Sequence, residues 1–181
     1  MISSRRTLVL GGARSGKSRT AQGLVEAAPG ERIYVATARA LDEEMHVRIE
    51  RHRAERAGPW TTCEAPLALA EAIRRETGPG RVVLVDCLTL WLSNVLLADR
   101  DPEGATQELI EAASAAAGPL VLVSNEVGHG IVPATPLGRA FRDAQGRLNQ
   151  AAAEACDAVV FVAAGCPVLL KPAPPLRLTL E

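Results

Sequence analysis

The stretch TLVLGGARSGKS (7–18) decides the fold. Four residues, Thr7 to Leu10, run into a pair of glycines, which reads as a short buried strand ending in a turn. The residues after it fit G-x-x-x-x-G-K-[ST], counted from Gly11 to Gly16-Lys17-Ser18. A helical stretch, Ser18 to Ala27, follows and stops at Pro29-Gly30. Strand, glycine-rich loop and helix in that order build a phosphate cradle. The glycines let backbone N–H groups turn inward, and the helix N-terminus adds positive partial charge. Lys17 is expected to reach the β- and γ-phosphates of a nucleoside triphosphate, and the Ser18 hydroxyl to hold Mg²⁺.

Outward from this loop, apolar runs alternate with helical stretches. Strands are expected at 32–37, 81–86, 119–124 and 157–163, with a short one at 168–170. Helices are expected at Leu41 to Arg56, Leu67 to Glu76, Leu88 to Ala98, Glu103 to Ala117 and Leu137 to Cys156. RVVLVD (81–86) is continuously apolar before its final Asp86, as a strand buried on both faces must be. The alternation predicts an α/β fold with a mostly parallel central sheet flanked by helices. Residues 1–172 are expected to form one nucleotide-binding catalytic domain, and 173–181, rich in proline, a loose tail.

The composition narrows the function classes. The chain has 181 residues and a net charge of −1, which argues against a broad nucleic-acid or anionic-membrane surface. Aromatic residues make up 3%, too few for a groove that stacks bases. The four cysteines, Cys63, Cys87, Cys156 and Cys166, lack C-x-x-C spacing and read as reduced, packed hydrophobes. That usage points to the cytoplasm. No apolar run is long enough to span a bilayer, and the one after Arg5-Arg6 is too short for a signal peptide.

Asp86, at the end of its strand, is the expected acidic partner for Mg²⁺. Glu126, in SNEVG, is a weaker candidate for the same neighbourhood. Both belong to the carboxyl ends of strands, where open α/β sheets bind ligands. Three histidines remain. His46 shares a side of its helix with Glu50 and Arg53 and is expected in solvent. His129, between glycines, reads as a loop residue. His52 shares a face with Met45 and Ile49 and has Arg48 and Arg56 four residues away, adjacent on a helix. Neighbouring cations favour the neutral imidazole, which is a nucleophile, while arginines collect phosphate. The plain alternative is a solvated face laced with Arg–Glu pairs.

These segments, in order, resemble the bifunctional adenosylcobinamide kinase / adenosylcobinamide-phosphate guanylyltransferases. The resemblance rests on GGARSGKS, YVATARALDEEMHVRIERHRAER with Trp60, Asp86, SNEVGHGIVP and GRAFRDAQGRLNQ, and spans about residues 7 to 172. It implies a RecA-like P-loop domain assembled as a homotrimer. It also implies two reactions: phosphorylation of adenosylcobinamide by ATP or GTP, then GMP transfer from GTP to adenosylcobinamide phosphate through a histidine–GMP intermediate. The guanylylated histidine maps onto His52, and the catalytic lysine is Lys17. Nucleotide contacts map onto Gly11, Gly12, Ala13, Arg14, Ser15, Gly16, Lys17 and Ser18, onto Ala36, Thr37 and Ala38, onto Arg53, Ala54, Glu55 and Arg56, and onto Glu64 and Asp86. Some members carry two adjacent histidines where this chain has Arg51-His52; Arg51 can bind phosphate but cannot act as a base. Arg139, Arg142, Arg147 and Asn149 are either substrate contacts or an exposed helix face. Two rival readings are a P-loop small-molecule kinase without the transferase half, and a nucleotide-dependent switch that binds without turnover.

Overall fold

The computed structural model describes residues 3–39, 43, 47, 50, 53, 54, 56 and 58–174. Seven strands form one sheet: β1 (Arg6–Gly11), β2 (Glu31–Ala36), β3 (Thr61–Glu64), β4 (Arg81–Asp86), β5 (Leu120–Asn125), β6 (Ala158–Ala163) and β7 (Cys166–Lys171). Among the described residues five continuous helices connect them: α1 (Lys17–Glu26), α2 (Leu69–Glu76), α3 (Leu88–Leu97), α4 (Pro102–Ser114) and α5 (Pro136–Ala155). Between β2 and β3, Glu43, Val47, Glu50, Arg53 and Ala54 are helical. The expected nucleophile His52 and the expected solvent residue His46, together with Arg48, Arg51 and Glu55, lie outside the described residues, as does the tail from Pro175 on.

The strand order is β3-β2-β4-β5-β1-β6-β7. All neighbours are parallel except β6 and β7, so the mostly parallel sheet read from the sequence is present. Alternate residues of each strand feed opposite faces, as the pleat requires. Leu8, Leu10, Ile33, Val35, Val83, Val85, Leu120 and Leu122 pack with α2, α3, α4 and α5. Val9, Tyr34, Val82, Leu84, Val121 and Val123 pack with Ala21 and Val25 of α1. Helix α3 (LTLWLSNVLL) is apolar nearly all round and accordingly buries Leu88, Trp91, Leu92 and Val95.

Three readings change. β3 was not expected: TTCE lacks an apolar alternation, and its edge position leaves Thr61, Thr62 and Glu64 exposed. The last strand is longer than 168–170 and returns antiparallel on β6. The cysteines do not all pack as hydrophobes. Cys87 and Cys156 are buried, Cys63 is half-buried and accepts a hydrogen bond from Arg75 Nη2, and Cys166 is exposed.

Candidate active site

The carboxyl ends of the strands gather the expected residues. Gly11 pairs with Asn125, Asp86 with Ala36, and Ala36 with Glu64. β5 lies between β1 and β4, so Asn125 and Glu126 lie between the glycine-rich loop and Asp86. Two hydrogen bonds fix that order: Glu126 N donates to Gly11 O at 3.1 Å, and Asn125 N donates to Thr89 Oγ1 at 2.8 Å. The Glu126 carboxylate turns back on its own loop and accepts from Gly128 N. His129, three residues beyond Glu126, is exposed.

The loop itself is built for an anion. Gly16 adopts a left-handed conformation, φ 96°, which glycine reaches without a steric penalty. A Cβ on Gly11 would stand 2.6 Å from Val162 O, so that position too admits only glycine. α1 starts without a side-chain cap or an acidic residue in its first turn, which leaves its first N–H groups for a ligand. Ser15 Oγ is buried with no hydrogen-bond partner, and Ser15 O accepts from Gly165 N at 2.8 Å. Lys17 Nζ donates to Gly12 O at 3.3 Å. Ala13 and Arg14 are exposed on the turn, and Ser18 is half-buried in the first turn of α1.

Asp86 sits under a well-defined set of contacts. Tyr34 Oη donates to Asp86 Oδ2 at 3.1 Å. The guanidinium of Arg56 lies 3.8 Å above the centre of the Tyr34 ring, an attraction of about 0.5–2 kcal/mol depending on desolvation. Trp60 meets the same ring edge-on, 6.3 Å between centroids. Burial first, and then the Asp86 carboxylate, raise the Tyr34 phenol far above its ordinary pKa, so it remains an O–H donor throughout the working range. The Cys87 thiol is pushed up to about 12, by burial first and then by Asp86, with Lys17 opposing. The Asp86–Cys87 peptide bond is cis.

Behind this row stands Thr37. It is 0% exposed. Its hydroxyl donates to Cys87 O at 2.7 Å and accepts from Cys87 N at 2.8 Å. Its own N–H donates to Asp86 O, and its carbonyl accepts from Asn94 Nδ2 at 2.8 Å. In this conformation Thr37 supports the site from behind, with no polar group turned to a ligand, while Ala36 and Ala38 are half-exposed beside it. Arg53 pairs with Glu50 at 3.1 Å in solvent, and Ala54 and Glu64 are exposed.

The residues on α5 separate. Asn149 is buried, accepting from Ser124 Oγ and Gln145 Nε2 and donating to Asn125 O. It therefore fixes the end of β5 and is no exposed helix residue. Arg139 donates to Pro133 O and Ala134 O and closes its own loop. Arg142 and Arg147 pair with Asp143 and Glu103. A groove of about 360 Å³ between α4 and α5, lined by Ile110, Ala144 and Ala151 among others, shares no lining residue with the glycine-rich loop.

The donor set suits Mg²⁺, a hard cation served by a hydroxyl and a carboxylate. No group of three His, Cys, Asp or Glu side chains able to hold a metal occurs among the described residues. An ion held by Ser18 and Asp86 would therefore complete its shell with phosphate oxygens and water, which is the habit of Mg²⁺ at triphosphates. Among the described residues, no helix is long and apolar enough to cross a membrane.

Comparison with known proteins agrees with this geometry. Residues 7–170 match the family described as cobinamide kinase / cobinamide phosphate guanyltransferase. The chain is 50% identical over 172 residues to the bifunctional adenosylcobalamin biosynthesis protein CobP of Pseudomonas aeruginosa, covering 93% of this chain and 99% of that one. It is 41% identical to CobU of Escherichia coli K12, covering 91% and 98%. A solved structure from Pyrococcus horikoshii shares the fold at a TM-score of 0.50 and 8% identity, over 91% of this chain and 85% of that one. The chain belongs to the cobinamide kinase / cobinamide phosphate guanyltransferase family.

Proposed function

We propose that the two activities of the family run on one nucleotide site, with His52 as covalent carrier in the second. The observation that carries this reading is the position of Arg56. Four residues beyond His52 in sequence, it lies over Tyr34, whose hydroxyl holds Asp86. The segment that bears the histidine therefore ends at the strand edge that bears the nucleotide carboxylate.

In the first reaction the acceptor hydroxyl of adenosylcobinamide attacks the γ-phosphorus of ATP or GTP, and the nucleoside diphosphate leaves. Lys17, the N–H groups at the start of α1 and the Ser15 hydroxyl neutralise the charge that gathers on the transferred group. Mg²⁺, held by Ser18 and Asp86 directly or through water, supplies further positive charge against the phosphate oxygens when bound. In the second reaction neutral His52 attacks the α-phosphorus of GTP. A P–N bond forms, the P–O bond to pyrophosphate breaks, and the imidazole proton passes to solvent. A phosphate oxygen of adenosylcobinamide phosphate then displaces the histidine and gives adenosylcobinamide-GDP. A covalent carrier divides one difficult displacement between anions into two easier ones.

The protein is further proposed to work as a cytoplasmic homotrimer, with exposed Ile131, Val132, Val168, Leu169 and Leu170 offering apolar surface for subunit contact. The test of the function separates the two halves. His52→Ala should abolish GMP transfer and spare phosphorylation, and Lys17→Ala should cut phosphorylation by about 10²–10³. A His52→Ala variant that still transfers GMP would overturn the assignment of His52 as the covalent carrier.

A further inference from the structure

Tyr34 is placed in the core of β2 and is 7% exposed, yet both of its functional ends are in use. Its hydroxyl donates to Asp86 Oδ2 at 3.1 Å. Its ring carries the Arg56 guanidinium at 3.8 Å, and Trp60 packs edge-on against it at an interplanar angle of 85°. A core strand position ordinarily takes an aliphatic residue; neighbours Ile33 and Val35 on the other face are such. A stacked guanidinium engages an aromatic ring through its face, so its N–H donors stay in the plane and keep a fixed direction. A carboxylate that accepts a buried O–H keeps a fixed rotamer in the same way.

We infer that Tyr34 is a positioning residue that couples the two half-reactions, its hydroxyl setting Asp86 for phosphoryl transfer and its ring setting Arg56 for GMP transfer. The inference deepens the proposed function and rests on its assignment of Asp86 and its use of Arg56. One side chain then serves two reactions through two separable features. Tyr34→Phe removes the hydroxyl and keeps the ring. Tyr34→Leu removes both.

The test measures kcat and KM for phosphorylation of cobinamide and for GMP transfer to cobinamide phosphate, with thermal melts to confirm folding. In Tyr34→Phe, kcat for phosphorylation should fall about tenfold further than kcat for GMP transfer, the loss of one hydrogen bond to a charged group. In Tyr34→Leu, GMP transfer should fall as well and the two activities should converge. Arg56→Gln, which leaves Tyr34 and Asp86 in place, should tilt the ratio the opposite way. Equal losses of both activities in Tyr34→Phe would mean that the residue serves only the fold, and would overturn the inference. Asp86→Asn separates the premise from the inference. If Asp86→Asn loses phosphorylation and Tyr34→Phe does not, the inference alone fails. If neither loses it, the assignment of Asp86 fails and the inference with it.

Discussion

Replacing Thr37 by valine tests whether the row behind the nucleotide edge is held as described. Valine has nearly the shape of threonine and fits the same buried space, so packing is kept while the hydroxyl is lost. Two hydrogen bonds go with it, from Thr37 Oγ1 to Cys87 O and from Cys87 N to Thr37 Oγ1. Cys87 O retains its helical partner Trp91 N, and losing the threonine bond there costs about 0.5–1.5 kcal/mol. Cys87 N is left buried without an acceptor, which costs about 1–3 kcal/mol. The sum is a destabilisation of about 1.5–4.5 kcal/mol. Thr37→Ser is the control: it keeps the hydroxyl and removes one methyl group, at about 1 kcal/mol. Urea unfolding distinguishes them. With a slope of about 2 kcal/mol per molar, the valine variant should lose roughly 1–2 M from its midpoint and the serine variant about half a molar, with slopes unchanged. Because Thr37 N also donates to Asp86 O, nucleotide affinity should weaken in the same order. A valine variant as stable as the serine variant would refute the reasoning.

Further outcomes follow from the same contacts. Lys17→Ala should reduce phosphoryl transfer by about 10²–10³, as loss of one transition-state donor does, with an unchanged melting temperature, since its bond to Gly12 O spans 3.3 Å. Asn149→Leu should cost about 3 kcal/mol, because it takes the acceptor from Ser124 Oγ and the donor from Asn125 O and leaves Gln145 Nε2 only Ser124 Oγ, whereas Gln145→Leu should cost under about 1.5, because Ser124 and Asn149 still pair; a reversed ranking by chemical denaturation would contradict the network. The Asp157 carboxyl is held below its ordinary pKa, first by the Arg6 side chain and then by backbone N–H groups. A depressed folded value adds stability that is present above the unfolded pKa, about 4, and lost as pH falls through the folded value. Asp157→Asn should therefore flatten the acid limb of the stability curve, by less than about 1 kcal/mol for so exposed a pair. A thiol reagent should modify exposed Cys166 readily and reach Cys87 and Cys156, whose thiols burial pushes up to about 12, only on unfolding.

The parts of the molecule that sequence displays are those governed by local chemistry. The glycine-rich loop is legible because only Gly11 and Gly16 tolerate their backbone surroundings, and because Lys17 and Ser18 follow at a spacing fixed by a phosphate chain. β4 and β5 are legible because a strand covered on both faces must be apolar throughout. β3 is hidden because four residues at a sheet edge need no apolar pattern, and its place is set by β2 beside it. The bonds that Tyr34 and Thr37 make are hidden for a different reason. In sequence, YVAT is the end of an ordinary strand; what these residues do depends on Asp86, Cys87 and Asn94, about fifty residues away. Asn149 likewise reads as a polar helix residue until β5 is brought against it. Reach across the sheet, and not local pattern, sets what these residues hold.

The central claim is that one site works on two different phosphorus atoms of a nucleotide. The protein should be incubated with Mg²⁺ and GTP labelled at the α-phosphate, in parallel with GTP labelled at the γ-phosphate, then denatured and treated with acid and with base. The account predicts protein-bound label from the α-phosphate alone, lost in acid, stable in base and absent from His52→Ala, while the γ-label passes to cobinamide. Covalent label that survives acid, or no covalent label while cobinamide is still phosphorylated, would contradict it.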